Sequence, residues 1–489
     1  MEGRILPSRQ GIVLSALQAL CIVSVSVTSA QTEGPLVFEH VNLVRVQDGT
    51  ISRDTTLVIA DGRVSSTERP GGHTRRIDAR GAYVIPGLWD MHVHVNEDAP
   101  WMLPLAAAMG VVGMRDMGGR IEAIAGLHRA AAAPGMPQVL ASGPILTGQV
   151  DDDDDRVWRL AGPGAVSGAL DRLSAARVDH VKVHDWLTRE TWRRIIDDAR
   201  TRRVPVVGHL PVQLDAVEAA GAQKSIEHLG NAWGGLLLDV STREARLKRD
   251  VRSHMLRARG PQELGAFLTP TRWLDITGSY SAAKADSLAR TLARSGTLVC
   301  PTLYTFAWLA ARDVGAPEKA DPRLAYLPLE RRAMLTSMVA PAPPDPAAAK
   351  SRVALLRARQ RLVRALQAGG VTLLAGTDYA QYPLVFPGFT LHDELIQLVN
   401  AGLSPLEALR TATRNVGRYL GDASVGCLDA GCRADAVFLG ANPLDDIRHV
   451  STVRAVLVRG HYLDPGAREE RLAGLTREAS RRSGRPLKG

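Results

Sequence analysis

Aromatic residues are scarce in this chain, with Phe, Trp and Tyr together at 4% of 489 residues. A hydrophobic core of that composition must rest on Ala, Val, Leu and Ile. Cysteine is as sparse, with four in all, and no second Cys or His cluster adjoins any of them, which speaks against a cysteine metal cluster. A compact basic motif is also missing. The net charge is +9, but much of that excess sits in the C-terminal tail, so the balance describes an Arg-rich soluble protein and excludes a nucleic-acid partner. The length suits one large barrel with a smaller satellite.

The N-terminus reads as an export signal. Arg4 and Arg9 precede an apolar run over residues 12–27, followed by Thr28-Ser29-Ala30, a small-residue cleavage site before Gln31. The run is short for a bilayer span. Leu20 precedes Cys21 where a lipoprotein signal needs a small residue. The expectation is export to the periplasm or beyond, with no stable membrane association after cleavage. Cys300, in TLVCPTL, reads as an inert buried thiol. Cys427 and Cys432 flank LDAG, a hairpin turn, and an exported chain meets an oxidising compartment, so this pair is the disulfide candidate.

Residues 31–85 carry short strand patterns separated by turn signals such as Asp61-Gly62, and the same texture returns over residues 423–466. The two stretches read as halves of one small β-sandwich. Between them, residues 86–422 alternate apolar strands with amphipathic helices, the signature of a parallel sheet. Strand candidates end near His94, Asp116, Ile145, His184, His209, His228, Thr302 and Asp378. Eight is the number a (β/α)8 TIM barrel needs. The expected class is therefore α/β, a barrel plus a composite β domain. Ser404 and Pro405 mark the start of a helix over residues 401–420. Long connections at 231–290 and 306–360 are expected to wall the active mouth, and the basic tail, residues 467–489, reads as disordered.

The chemistry lies at the strand ends. His92 and His94 share one face of a strand; alone, such a pair is either core packing or two ligands. Lys182 stands in Val181-Lys182-Val183. An inward ammonium there would be costly, so the residue is either outward-facing or a neutralised or modified ligand. His209 and His228 each close an apolar run, and Asp378 follows LLAGT, where a carboxylate needs a metal or a proton. His184 has the parity to touch substrate. Arg115 could meet a substrate carboxylate or form a structural ion pair. His392 follows the eighth strand and could support the site. The acidic run Asp151–Asp155 should sit at the mouth, as a solvated loop or a cation-recognising one.

These motifs, VIPGLWDMHVHV, GMRDMGG, DHVKV, GHLP, SIEHL, AGTD and GCLDAGCRADAVFLGANPLDDI, resemble those of the metal-dependent amidohydrolase superfamily, in its imidazolonepropionase-like and Xaa-Pro-dipeptidase-like branch. The resemblance covers residues 36 to 460. It implies that His92, His94 and Asp378 bind one divalent ion, that His209 and His228 bind a second, and that Lys182 bridges the two as a CO2-derived carbamate. It further implies a metal-bridging hydroxide that attacks a carbonyl, with Asp378 handling the proton. Imidazole and carboxylate donors suit zinc. The reaction expected is hydrolysis of an amide C–N bond in a small molecule, a dipeptide or N-acyl amino acid. The alternatives are a cyclic amide or lactone hydrolase, or a catalytically silent binding protein of the same fold. One departure bears on specificity: SGPILT runs into GQVDDDDDRVW without the His that dipeptide-cleaving relatives often carry there. Oligomeric state is left open.

Overall fold

The computed structural model describes residues 34–65, 74–95, 98–150, 154–258, 260–311, 321–338, 345–379 and 385–481. The export signal expected at residues 1–30 lies outside them. Among the described residues no helix is long and apolar enough to cross a membrane.

The terminal segments meet in one sheet. Its strands are β1 (Leu36–Val44), β2 (Ile51–Ala60), β3 (Arg63–Val64), β4 (Arg75–Asp78) and β5 (Tyr83–Pro86), joined by β15 (Ala436–Leu439), β16 (Val453–Val458) and β17 (His461–Leu463). The order is β17-β16-β15-β5-β1-β2-β3, with β4 also on β1. β5 is the seam. Tyr83 and Val84 pair in parallel with Asn42 and Leu43, while the whole of β5 runs antiparallel to β15. Because β5 is hydrogen-bonded on both edges, the two halves join side by side. All eight strands are linked by pairing into one connected sheet. Leu36, Phe38, Leu57, Val84, Phe438 and Leu457 form its own core, apart from the barrel's. Cys427 and Cys432 are bonded, with Cα atoms 5.8 Å apart, and the Cys432 carbonyl accepts from the Val64 N–H at 2.9 Å.

The middle of the chain is a TIM-barrel-like α/β arrangement. β6 (Leu88–Val93), β7 (Val111–Asp116) and β8 (Gln138–Ala141) form one parallel ribbon. β9 (Ile145–Thr147), β10 (Val157–Arg159), β11 (Val181–Val183), β12 (Val206–Gly208), β13 (Ser225–Glu227) and β14 (Leu298–Cys300) form another, in the order β10-β9-β11-β12-β13-β14. β11 to β14 are fully buried along their length, as expected for parallel strands covered on both sides. The eighth strand candidate is not a regular strand. Its segment is held by single bridges, Val299 to Leu373 and Val93 to Tyr379, and the Asp378 N–H donates to His92 O at 2.7 Å. Gly376 explains how closely it approaches: a Cβ there would lie 2.7 Å from the His92 Cβ.

Helices cover the strands by their apolar faces. Arg189–Thr201, between β11 and β12, buries Trp192, Ile195, Ile196 and Ala199 and is capped by the Thr188 hydroxyl accepting from the Thr191 N–H. Ser404 and Glu407 form a capping box on Pro405–Thr411. The helix expected over 401–420 breaks after that turn and restarts as Arg414–Leu420, because Thr413 leaves helical geometry at φ −133°. The basic tail, expected to be disordered over residues 467–489, is helical as far as residue 481, and residues 482–489 lie outside the described residues. Pro465–Arg481 is a helix, with Leu475 and Ala479 buried and the Arg468 guanidinium donating to Ala108 O at 2.6 Å. Charge dominates its composition, but Leu472, Leu475 and Ala479 fall on one helical face and give it something to bury.

Candidate metal centre

His92, His94, Lys182, His184, His209, His228 and Asp378 all line one cavity of about 370 Å³. They come from four different strand ends and from the irregular eighth segment. In β11 the alternation of side chains sends Lys182 into the cavity between Val181 and Val183. Gly208 permits β12 to lie close to it, since a Cβ there would lie 2.2 Å from Val183 O. His228, Thr302 and Asp378 each adopt left-handed backbone, with φ of 55°, 49° and 60°. Such conformations cost roughly 1–3 kcal/mol each in a non-glycine residue; here His228 and Asp378 line the cavity, and Thr302 holds the His228 ring through its hydroxyl.

The four histidines are held alike. Each engages an outer partner through Nδ1: His92 with Glu227 at 2.9 Å, His94 with Gly118 O at 3.2 Å, His209 with Asp185 at 2.7 Å and His228 with the Thr302 hydroxyl at 2.7 Å. That leaves every Nε2 for the interior, the arrangement by which outer partners orient metal-binding imidazoles. The rings are close, His92 to His228 at 4.4 Å and His209 to His228 at 4.8 Å between centroids. Burial holds His92, His209 and His228 well below the ordinary imidazole pKa, which keeps them in the neutral, ligating form.

Asp378 stands with His92 and His94. Its Oδ1 lies 3.4 Å from each Nε2, and both Asp378 Oδ1 and His92 Nε2 are buried without a hydrogen-bond partner. Buried polar atoms are rarely left so. His92, His94 and Asp378 have ligand atoms close enough together to hold a metal ion, so the residues present fit one. Asp90 braces the Asp378 turn: its carboxylate accepts from the Thr377 N–H at 3.0 Å and hydroxyl at 2.7 Å. Burial raises the Asp90 carboxyl to about 7. Lys182 is 1% exposed, and burial lowers its amine to about 8. Nearby Glu227 and Asp378 act on it electrostatically, yet no hydrogen bond or ion pair to it is found among the described residues.

Other expected site residues are placed differently. Arg115 is fully buried away from the cavity. Its guanidinium donates to both Glu227 oxygens at 2.8 Å, to Ser225 Oγ at 2.7 Å and to Met91 O at 2.7 Å. With every direction filled it has nothing left for a substrate carboxylate, and the structural ion pair is the correct alternative. His392 is buried behind helix Ala99–Ala108, its Nε2 paired with Met109 O at 2.9 Å, outside the cavity lining. His184 does line the cavity and packs on His209, with centroids 4.1 Å apart. Of the acidic run, Asp154 reaches the cavity but is clamped by the Arg156 guanidinium, with Arg156 Nε 2.8 Å from its Oδ1; Asp155 pairs with Arg120 at 2.7 Å. Residues 151–153 lie outside the described residues. Glu227, Asp185 and Thr302 were not singled out in the sequence. Two of them adjoin chosen histidines, in SIEHL and KVHD, and that adjacency was the available signal.

Residues 83–463 match the amidohydrolase family. No curated protein matches the chain. Among solved structures, a bottromycin amidohydrolase is 25% identical with a TM-score of 0.68, over 91% of this chain and 90% of its own. A Bifidobacterium longum protein described as a prolidase is 22% identical with a TM-score of 0.61, over 91% of this chain and 99% of its own. An Xaa-Pro dipeptidase with methionine bound in its active site is 17% identical with a TM-score of 0.59, over 88% and 100%. This chain belongs to the metal-dependent amidohydrolase family, and its structural neighbours include hydrolases of amide bonds.

Proposed function

We propose that this chain is an exported hydrolase that cleaves the amide C–N bond of a small molecule with two divalent metal ions, zinc by the character of its donors. The observation that carries the reading is the common orientation of the four histidines, each with Nδ1 tied outward, around an unpartnered His92 Nε2 and Asp378 Oδ1. His92, His94 and Asp378 would hold one ion; His209 and His228 would hold the other. Lys182, buried and without an ion pair, would stand between them as its carbamate, which turns a costly ammonium into an anionic bridge. When bound, such ions polarise a carbonyl and make water acidic at neutral pH. Asp378, whose Oδ1 lies 3.4 Å from Nε2 of both His92 and His94, would take the proton of the attacking water and return it to the leaving amine. Asp185, Glu227 and Thr302 keep three of the imidazoles in the tautomer that presents Nε2.

The two parallel ribbons read as arcs of one eight-membered barrel. Residues 142–144 carry the chain from β8 to β9, and the segment bridged to Val299 and Val93 spans the remaining gap. The Cys427–Cys432 disulfide supports an oxidising destination. Elemental analysis of the mature protein, purified without chelator, should give close to two metal equivalents per chain. Lys182→Ala should lose one or both along with activity, and small carboxylates should restore part of it. One equivalent that is insensitive to Lys182 would replace the paired site with a single one. A metal-free chain after reconstitution with zinc and bicarbonate would sink the hydrolase reading.

A further inference from the structure

Three aromatic side chains, Trp186, Trp233 and Phe306, line the cavity along with the histidines. Trp186 lies just beyond β11 and Trp233 opens the long connection after β13; their rings meet edge to face with centroids 5.8 Å apart. Val150, Val157 and Phe306 also line the cavity, and the Arg359 guanidinium lies 3.6 Å from the Phe306 ring centroid. In a chain so poor in aromatics, this concentration is itself informative. One carboxylate ties the wall to the metal floor: Asp185 Oδ2 accepts from Trp233 Nε1 at 2.7 Å, while Oδ1 holds His209 Nδ1 at 2.7 Å. Two polar atoms are left over. Trp186 Nε1 and Thr147 Oγ1 are buried and have no hydrogen-bond partner among the described residues, and both residues line the cavity. Trp186 is 7% exposed and Thr147 1%.

Resting on the amide-hydrolase reading above, we infer that the substrate is an uncharged amide with an aromatic group beside the scissile bond. The ring sits against Trp186, Trp233 and Phe306. A carbonyl oxygen of the substrate accepts from Trp186 Nε1 and Thr147 Oγ1. Both donors are neutral and supply no charge to offset the burial of a carboxylate, whereas a carbonyl needs none. The carboxylates of Asp154 and Asp185 line the same cavity, and Arg156 is engaged with Asp154, which further disfavours an anion here. Aromatic faces and edges so arranged bind a third ring through apolar burial and ring geometry together.

The test uses the metal-loaded full chain and N-acetylated Phe-Gly, Gly-Phe, Ala-Gly and Gly-Ala, each as free acid and as carboxamide. The phenylalanyl carboxamide in the preferred orientation should exceed its alanyl counterpart in kcat/KM by roughly 30-fold, and the carboxamide should match or exceed the free acid. Trp186→Leu should shrink the aromatic preference to a few-fold, with metal content unchanged as the check on the floor. Trp233→Phe, which keeps a ring and removes the bond to Asp185, should retain most of the preference. Equal rates for phenylalanyl and alanyl substrates, or a free acid favoured more than about tenfold, would overturn the inference. If the loaded chain cleaves none of them, the functional reading fails for these amides, and calorimetry still decides the wall. Tighter binding of the phenylalanyl carboxamide than the alanyl one, lost in Trp186→Leu, upholds it; equal binding removes it.

Discussion

The barrel mouth and the terminal sheet are built from the same aliphatic vocabulary and differ in how they treat polar atoms. In the sheet, β5 is paired on both edges, a disulfide closes the Cys427–Cys432 turn, and Phe38, Phe438 and Tyr462 cluster with centroids 4.8 to 5.9 Å apart. In the mouth, His92 Nε2, Asp378 Oδ1, Thr147 Oγ1 and Trp186 Nε1 are buried without hydrogen-bond partners among the described residues, and all four residues line one cavity; in the sheet, Arg433 Nη2 and Asp435 Oδ2 also lack hydrogen bonds but pair with each other at 2.9 Å. The contrast separates stability from chemistry. Two buried basic side chains of the barrel repeat it. Arg115 is saturated by Glu227, Ser225 and Met91 and is structural; Lys182 is equally buried and has no such set.

Four measurements would sharpen or break that contrast. Asp378→Asn should lower kcat by about 10³-fold while thermal unfolding stays close to the parent; near-normal turnover would remove Asp378 from proton transfer. Arg115→Met leaves the Glu227 carboxylate buried and uncompensated, so stability should fall by about 3–5 kcal/mol in denaturant titration, with substrate KM little changed. A rise in KM alone, with stability intact, would return Arg115 to substrate binding. In the sheet, Phe438→Ala should cost about 3 kcal/mol through the cavity it leaves, with the metal content of the folded protein unaltered; a loss of metal would show that the two regions are coupled. The smallest effect is expected from Cys427→Ser/Cys432→Ser. The bridge closes a short loop, and its removal should cost about 2 kcal/mol, read as a modest drop in Tm without a change in kcat. A collapse of activity there would contradict the division.

Much of the site was legible as sequence because parallel barrels place chemistry at the C-terminal ends of their strands. His92, His94, Lys182, His209, His228 and Asp378 each follow or interrupt an apolar run, and the fold brings them to one cavity. The roles of Arg115 and His392 were not legible. A strand-end position says that a side chain is near the mouth, and only the neighbouring strand decides whether it faces the cavity or an ion pair. The disulfide was legible because a turn is local, and the tail helix was missed because composition outweighed a short apolar stripe.

The sequence by itself determined which segments become strands and helices, where the chain leaves and re-enters the small β domain, and which side chains stand at strand ends, since all of these follow from periodicity and turn chemistry within a few residues. Tertiary structure alone decided that β5 sews the terminal halves into one sheet, that Glu227 serves His92 and Arg115 at once, and that Trp186 and Trp233 line the same cavity as the histidines. Those pairings join residues far apart in the chain, and whether a buried polar atom is satisfied or left for a ligand depends on the partner that arrives from elsewhere in the fold.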